Sequence, residues 1–101
     1  MIVDSDKYVR ESLSTFLGTE RLKFLIFKSG AEGLNALQYQ NIDVVISDYF
    51  LPDMDGLALL KKVAVQKPDA ARILMATIVS DGLKQEISRA GIDAFLEKPL
   101  N

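Results

Sequence analysis

The 101-residue chain contains no cysteine and no histidine, and each absence excludes a class of chemistry. Without cysteine there is no disulfide, no thiolate nucleophile and no zinc–thiolate site. Without histidine the chain lacks the commonest general base and the commonest metal ligand. Any metal ion must therefore be held by oxygen, and this requirement favours magnesium, manganese or calcium.

The chain also lacks an excess of positive charge and a long apolar run. Its formal net charge is -2, so it has no broad basic field for nucleic acid or an anionic membrane surface. No apolar stretch approaches the roughly 18 residues of a membrane span, and no signal peptide precedes Asp4. We therefore expect a cytoplasmic protein that binds neither nucleic acid nor membrane directly.

Short apolar runs alternate along the chain with stripes of apolar residues at helical spacing. The hydrophobic fraction of 49% is enough for one core in a single domain over residues 1–101. The apolar runs predict strands at 1–3, 22–27, 43–47, 72–76 and 93–97. The inward helical stripes between them are Val9, Leu13, Phe16 and Leu17; Leu34 and Leu37; Leu57, Leu60 and Ala64; Leu83, Ile87 and Ala90. Such short connections require a doubly wound α/β fold, with a five-stranded parallel sheet and helices on both faces.

The most informative stretch runs from Val44 to Gly56. It begins with a β-branched run typical of a buried central strand, and Asp48 stands where that strand leaves the sheet. Pro52 and Gly56 predict a turn, after which Asp55 is placed to cap a helix. Ligands of open α/β sheets bind beyond the carboxyl ends of the strands, so Asp48 is a candidate functional residue. The alternative is that it merely starts the turn.

Four polar side chains stand at the predicted strand ends, namely Asp4, Asp48, Thr77 and Lys98. If the strands are parallel, these side chains converge at one edge of the sheet. Two acids, a hydroxyl and an ammonium form an oxygen-ligand metal site beside a nucleophile and its counter-charge. Each residue also has an ordinary structural explanation, because acids complement a helix dipole, threonine suits a strand and lysine suits a surface.

Five segments, in this order and at this spacing over residues 1–99, resemble the receiver domain of response regulators in two-component signalling. They are Val3-Asp4, Ile46-Ser47-Asp48, Leu51-Pro52-x-Met54-Asp55-Gly56, Met75-Ala76-Thr77 and Phe95-x-x-Lys98-Pro99. The resemblance implies a flavodoxin-like (CheY-like) sheet of strand order 2-1-3-4-5. It implies a bacterial signalling protein with at most weak phosphoryl-transfer activity of its own.

The same resemblance implies roles for the residues at the strand ends. Asp48 would accept a phosphoryl group from a histidine kinase or, in a phosphorelay, from a phosphotransfer protein. Magnesium would be held by Asp4, by Asp48 and by the backbone carbonyl of Phe50. Lys98 would neutralise the phosphoryl oxygens, as phosphoryl transfer requires.

Two further residues would form the switch of such a domain. Thr77 would bind a phosphoryl oxygen, and Phe95 would then turn inward and change the face formed by the fourth helix and the fifth strand. On pattern alone, Phe95 is equally well explained as a core residue. The Lys98–Pro99 bond would be cis, as is usual in the family, while Pro52 and Gly56 shape the backbone in either case.

The chain departs from the family pattern at two positions near the site. Ser5 stands where the family has a second acid that binds the metal directly, and a neutral hydroxyl is a weaker ligand. Ser5 is explained either as a doubtful metal ligand or as an ordinary helix N-cap, while Asp6 is another acid that could reach the metal. Ile78 stands where a small residue is usual, and it would narrow the entrance. These departures favour an alternative, a pseudo-receiver that acts as a protein-interaction module.

A third hypothesis is a phosphatase. Asp4-Ser5-Asp6 after a strand resembles the nucleophile motif of haloacid-dehalogenase-type phosphatases, in which the first aspartate attacks and the second is the acid or base. The short chain and the unexplained Asp48 loop argue against it.

Receiver domains normally close with a fifth helix, which is missing from the sequence. We therefore expect a fragment of a longer protein with its output domain elsewhere. We also expect self-association through the apolar sheet surface that the final helix would cover.

Overall fold

The computed structural model describes residues 1–20, 23–77 and 79–98. Within them, strands and helices alternate as β1 (Ile2–Val3), α1 (Lys7–Thr19), β2 (Ile26–Phe27), α2 (Gly30–Leu37), β3 (Val44–Asp48), α3 (Gly56–Gln66), β4 (Ala71–Ala76), α4 (Asp81–Arg89) and β5 (Ala94–Glu97). The strands form one sheet in the order β2-β1-β3-β4-β5, and all neighbouring strands are parallel. The predicted fold and strand order are confirmed. No helix in the described ranges is long and apolar enough to cross a membrane.

The second strand is much shorter than predicted. It consists of Ile26–Phe27 rather than 22–27, and Leu22 lies outside the described residues. The reason is its partner, because β1 has only two residues and pairs them with Ile26 and Phe27. The apolar composition therefore predicted too long a strand. The length of β2 is set by the number of backbone groups on β1 that can pair with it.

The helix starts confirm one predicted cap, that of Asp55, and correct another. The Ser29 hydroxyl accepts from the amide of Glu32, and the Asp55 carboxylate accepts from the amide of Ala58. The prediction that Ser5 caps the first helix is wrong. α1 begins at Lys7, so the preceding Asp6 has the extended backbone of a cap, and its carboxylate accepts from the amides of the first turn.

The hydrophobic core lies between one face of the sheet and the helices α2, α3 and α4. Its largest contribution comes from α3, which buries four apolar side chains, Leu57, Leu59, Leu60 and Val63. Full burial of each is worth about 1.5–3 kcal/mol. They pack with Val3, Val45 and Leu74 of the central strands, Leu37 of α2 and Leu83 of α4.

The opposite face of the sheet is less well covered. Ile2, Ile46 and Ile73 are in register across it, while Val44 and Leu96 are each 38% exposed at its margins. The prediction that Phe16 points inward is wrong, because its side chain is 59% exposed. Periodicity shows which side chains share a face of α1, but it does not show how much of that face the sheet covers. Self-association through this face stays a prediction.

A single arginine of β4 connects two helices. The Arg72 guanidinium donates to the carbonyl of Leu60 in α3 at 3.1 Å. It also donates to the carbonyls of Ala90 and Gly91, just after α4, at 2.9 and 3.0 Å. Gly91 has φ 67°, a left-handed conformation that suits a glycine at a helix end. Arg72 therefore satisfies carbonyls that the helix end leaves without an intrahelical partner.

We expect Arg72→Met to lower the free energy of unfolding by about 1–3 kcal/mol, because it keeps the apolar stem but leaves the carbonyls of Ala90 and Gly91 without their donor. Urea denaturation of the variant and the wild-type chain measures the difference. Arg89→Met, at an exposed position of α4, is the control and should change the same quantity by less than about 0.5 kcal/mol. Equal losses in the two variants would contradict this role of Arg72.

Candidate functional site

The candidate site lies at the carboxyl edge of the sheet, where three strand ends meet. Val3 pairs with Ser47, and this register places the next residues, Asp4 and Asp48, side by side. The amide of Lys98 donates to the carbonyl of Ala76 at 3.0 Å, which brings the end of β5 against the end of β4. Parallel pairing alone therefore brings together residues that are far apart in the chain.

The Lys98 ammonium contacts both acids. Its Nζ lies 2.7 Å from Oδ2 of Asp4 and 3.4 Å from Oδ1 of Asp48. Asp4 is fully buried and Asp48 is 6% exposed. The amide of Asp6 donates to the other oxygen of Asp4 at 2.8 Å, so both oxygens of the buried carboxylate have donors. Such compensation is what allows charges to be buried at acceptable cost.

The two groups that face each other across this contact have shifted pKa values. Burial raises the pKa of Asp48 above its ordinary value of 3.8, the charge of Asp4 raises it further, and Lys98 opposes both effects without cancelling them. Burial alone would lower the pKa of Lys98, but the hydrogen bond and the charge of Asp4, together with Asp48, outweigh it and raise the pKa. Lys98 therefore stays an ammonium. The ionised form of Asp48 is disfavoured by its surroundings, and a further positive charge nearby would stabilise it.

Thr77 and Phe95 are not part of the hydrogen-bonded cluster of Asp4, Asp48 and Lys98. Thr77 follows the last residue of β4 and is exposed, and its hydroxyl makes no hydrogen bond to Asp4, Asp48 or Lys98 in the described part of the chain. Phe95 is half-buried and packs against the core. Pro99, with the predicted cis bond, and Ile78 lie outside the described residues.

The loop after Asp48 is closed tightly on itself. The amide of Gly56 donates to the carbonyl of Tyr49 at 2.7 Å, and Phe50 forms an antiparallel bridge with Asp55. A Cβ atom added to Gly56 would collide with the carbonyl oxygen of Asp48. Glycine is therefore required because the backbone of α3 starts directly against the strand end. Pro52 lies exposed at the turn.

The hydroxyl of Ser5 reaches across to this loop. It donates to the backbone carbonyl of Phe50 at 3.4 Å. Ser5 thus lies next to the carbonyl predicted as a metal ligand, whereas Asp6 is turned away and caps α1. Among the described residues no three acidic side chains cluster as a metal site. Two carboxylates and a carbonyl are nevertheless a donor set that fits magnesium, which is commonly bound through one or two carboxylates and water.

Two contacts near the site could not be read from the sequence. The guanidinium of Arg10 donates to the carbonyl of Asp4 at 2.8 Å. The carboxylate of Asp53 accepts from the amides of Gly30 and Ala31, more than 20 residues earlier in the chain. Those hydrogen bonds lower the pKa of Asp53. No periodicity or spacing in the sequence links these partners. The sequence offers one signal for the second contact, an acid, Asp53, inside a predicted turn.

Comparison with known proteins connects this geometry to a family. The family model described as "Response regulator receiver domain" matches residues 1–101. Among curated proteins, the DNA-binding transcriptional regulator NtrC of Escherichia coli K12 is 34% identical over 100 residues. That match covers 99% of the chain but only 21% of NtrC, so the chain spans about a fifth of this relative.

Solved structures of similar domains have the same fold. A CheY-like response regulator receiver domain from Methanospirillum hungatei JF-1 is 30% identical, with a TM-score of 0.93 over 99% of the chain and 80% of that protein. The signal receiver domain of an HD domain-containing protein from Pseudomonas fluorescens Pf-5 is 29% identical, with a TM-score of 0.92 over 99% and 81%.

We expect the stability of Asp48→Asn relative to the wild-type chain to be greater near pH 7 than near pH 3, where both chains carry a neutral group at this position. Burial raises the pKa of Asp48 in the folded chain above its value of about 3.8 in the unfolded chain. The protonated carboxyl therefore stabilises the fold fully below about pH 3.8, and this stabilisation is lost as the pH rises through the pKa of the folded chain. Asparagine does not ionise, so this loss is absent. Urea denaturation at a series of pH values measures the difference.

The control is Asp69→Asn, an exposed loop acid, which should shift the free energy of unfolding by less than about 0.5 kcal/mol at every pH. A stability gain for Asp48→Asn that does not depend on pH would show that ionisation is not its cause.

Proposed function

The chain belongs to the family of response regulator receiver domains, and from this membership we propose that its Asp48 carboxylate accepts a phosphoryl group from a histidine kinase or a phosphotransfer protein. Receiver domains of response regulators are signalling modules. The observation that carries the proposal is the position of Asp48, a buried carboxylate at the exit of the central strand with the Lys98 ammonium 3.4 Å away.

The transfer proposed for Asp48 is a displacement at phosphorus. An oxygen of the ionised carboxylate attacks the phosphorus of a phosphohistidine, a P–O bond forms, and the P–N bond breaks with its electron pair leaving on the imidazole, which takes up a proton. Three phosphoryl oxygens then share the developing charge. Lys98 already lies between Asp4 and Asp48, so its ammonium can follow the added charge without a large movement.

Magnesium would be held by the carboxylates of Asp4 and Asp48 and the carbonyl of Phe50. When bound, it would supply positive charge to the phosphoryl oxygens. The chain's own groups at this position have one net negative charge, from two carboxylates and one ammonium. Ser5 adds a neutral oxygen, so we propose that the affinity for magnesium is lower than a third acid would give.

We further propose that the phosphoryl group switches the face formed by α4 and β5. Phosphorylation adds roughly 1.5 to 2 negative charges beside the strand ends. The exposed Thr77 is free to turn its hydroxyl toward a phosphoryl oxygen, and half-buried Phe95 would then turn further inward. Phe95 already packs against the core of the domain, so a small shift of β4 would change its surroundings.

The chain is proposed to act as one receiver domain, residues 1–101, whose output is performed by another segment or another protein. The support is the length of the relatives, since the chain spans about a fifth of NtrC.

A specific observation also keeps the pseudo-receiver alternative open. Ser5 hydrogen-bonds the Phe50 carbonyl, and this contact occupies the group that the metal would use. The phosphatase alternative is less well supported, because Asp6, its required acid or base, accepts hydrogen bonds from the first turn of α1.

We expect the chain to gain one phosphoryl group when it is incubated with magnesium and acetyl phosphate, and intact-mass spectrometry with peptide mapping should place it on Asp48. Asp48→Asn should gain none, and Asp69→Asn should behave as the wild type. Lys98→Gln should slow the reaction about 10²-fold, because a fixed positive charge is removed from the transferring oxygens.

A different result would favour one of the alternatives. No mass change at any magnesium concentration, with no spectral response to beryllium fluoride, would support the pseudo-receiver. Hydrolysis of a phosphate ester that is lost in Asp4→Asn and kept in Asp48→Asn would support the phosphatase.

We expect Ser5→Asp to tighten magnesium binding about tenfold, because it adds a carboxylate ligand next to the Phe50 carbonyl. Isothermal titration with magnesium chloride measures the dissociation constant. Ser5→Ala, the control, removes the same hydroxyl without adding charge and should change the constant by less than about twofold. Weaker or unchanged binding in Ser5→Asp would show that position 5 does not face the metal.

A further inference from the structure

Asp53 joins the loop of the site to the start of a distant helix. Its Oδ1 accepts from the amide of Gly30 at 2.9 Å, and its Oδ2 accepts from the amide of Ala31 at 2.8 Å. These are the first two amides of α2, which have no partner inside the helix. One carboxylate therefore replaces the hydrogen bonds that water would otherwise supply at this end.

The next two amides of α2 are satisfied by Ser29. Its hydroxyl accepts from the amide of Glu32 at 3.3 Å, and its carbonyl accepts from the amide of Gly33 at 3.2 Å. The start of α2 therefore has two separate caps, of which only Asp53 belongs to the loop of the site.

A second contact holds the same loop against the same helix. Met54 lies on Gly30 so closely that a Cβ atom added there would be 2.7 Å from the methionine sulfur. The half-buried Met54 also packs against the core. The tip of the loop is thus attached to α2 by a carboxylate and by a thioether, although 22 or 23 residues separate the hydrogen-bonded pairs.

The loop attached in this way carries the Phe50 carbonyl. Its two ends are closed by the Gly56–Tyr49 hydrogen bond and the Phe50–Asp55 bridge. Its tip, at 51–54, has no such closure within the loop itself among the described residues. The Phe50 carbonyl belongs to the planar peptide group that joins this closed base to Leu51, the first residue of the tip, so contacts that hold the tip from outside also bear on the direction of the carbonyl.

We propose that Asp53 is a positioning residue for the divalent cation: by holding the loop tip on α2 it fixes the direction of the Phe50 carbonyl toward Asp4 and Asp48. The inference rests on the proposed function, in which that carbonyl is a metal ligand. Asp53 is itself exposed and both of its carboxylate oxygens accept from amides of α2, so it acts through the backbone between it and Phe50. By linkage, a cation bound at the site also stabilises the start of α2.

The experiment compares two caps of one helix. Asp53→Ala and Ser29→Ala each remove a cap of α2, so both variants should lower the melting temperature, but only Asp53→Ala releases the loop. Titration of each folded chain with magnesium chloride, followed by NMR, should show binding weakened about tenfold in Asp53→Ala and less than twofold in Ser29→Ala. Asp53→Asn, which keeps one oxygen acceptor, should lie between them.

Hydrogen exchange gives a second measurement that does not require the cation. The Gly56 amide, which bonds the Tyr49 carbonyl at 2.7 Å, should exchange faster in Asp53→Ala than in Ser29→Ala. If both variants weaken magnesium binding equally, or if neither does, the inference is overturned. If the wild-type chain binds no magnesium, the proposed metal site fails, and the exchange at Gly56 alone decides whether Asp53 holds the loop.

Discussion

The contact of one ammonium with two buried carboxylates is the interaction on which the rest of this site depends. Lys98 comes from the end of the last strand, while Asp4 and Asp48 come from the first and third strands of the chain. A parallel sheet brings the carboxyl ends of its strands to one edge. The site therefore forms only when the strands that carry these three residues are paired in the observed register. The contact also bears on the electrostatics: burial raises the pKa of Asp48, the charge of Asp4 raises it further, and the single ammonium of Lys98 does not cancel the two effects.

The backbone around Asp48 is arranged to keep that carboxylate at a fixed place. Val45 and Ser47 of the strand before it are fully buried, and the loop after it is closed by Gly56, whose missing side chain lets α3 begin against the Asp48 carbonyl. Ser47 adds a buried hydroxyl that donates to the same carbonyl at 2.9 Å. The carboxylate of Asp48 is thus held in position by the strand before it and by the helix start after it.

Local patterns were sufficient for the alternating elements, the parallel sheet and the meeting of Asp4, Asp48 and Lys98, whereas the strand order was implied by the family resemblance. The predicted convergence of Thr77 with them is not observed in the ranges that the structure describes. Apolar runs and helical stripes predict alternating elements, and the polar residue after each run marks its exit from the sheet. The sequence was insufficient where a partner decides the outcome. The short β1 limits β2, the uncovered end of α1 exposes Phe16, and the true start of α1 makes Asp6 rather than Ser5 its cap. Asp53 belongs to the same class, since its partners lie more than 20 residues away.

The contacts of Arg72 in β4 restrict which side chains can replace it at that position. Three carbonyls, one in α3 and two just after α4, converge on one planar guanidinium, which offers five donors in a fixed fork. A lysine has the same charge, yet its compact ammonium cannot span acceptors on both sides of the gap at once. The spacing between α3 and the end of α4 is therefore matched to the shape of Arg72 and not merely to its charge.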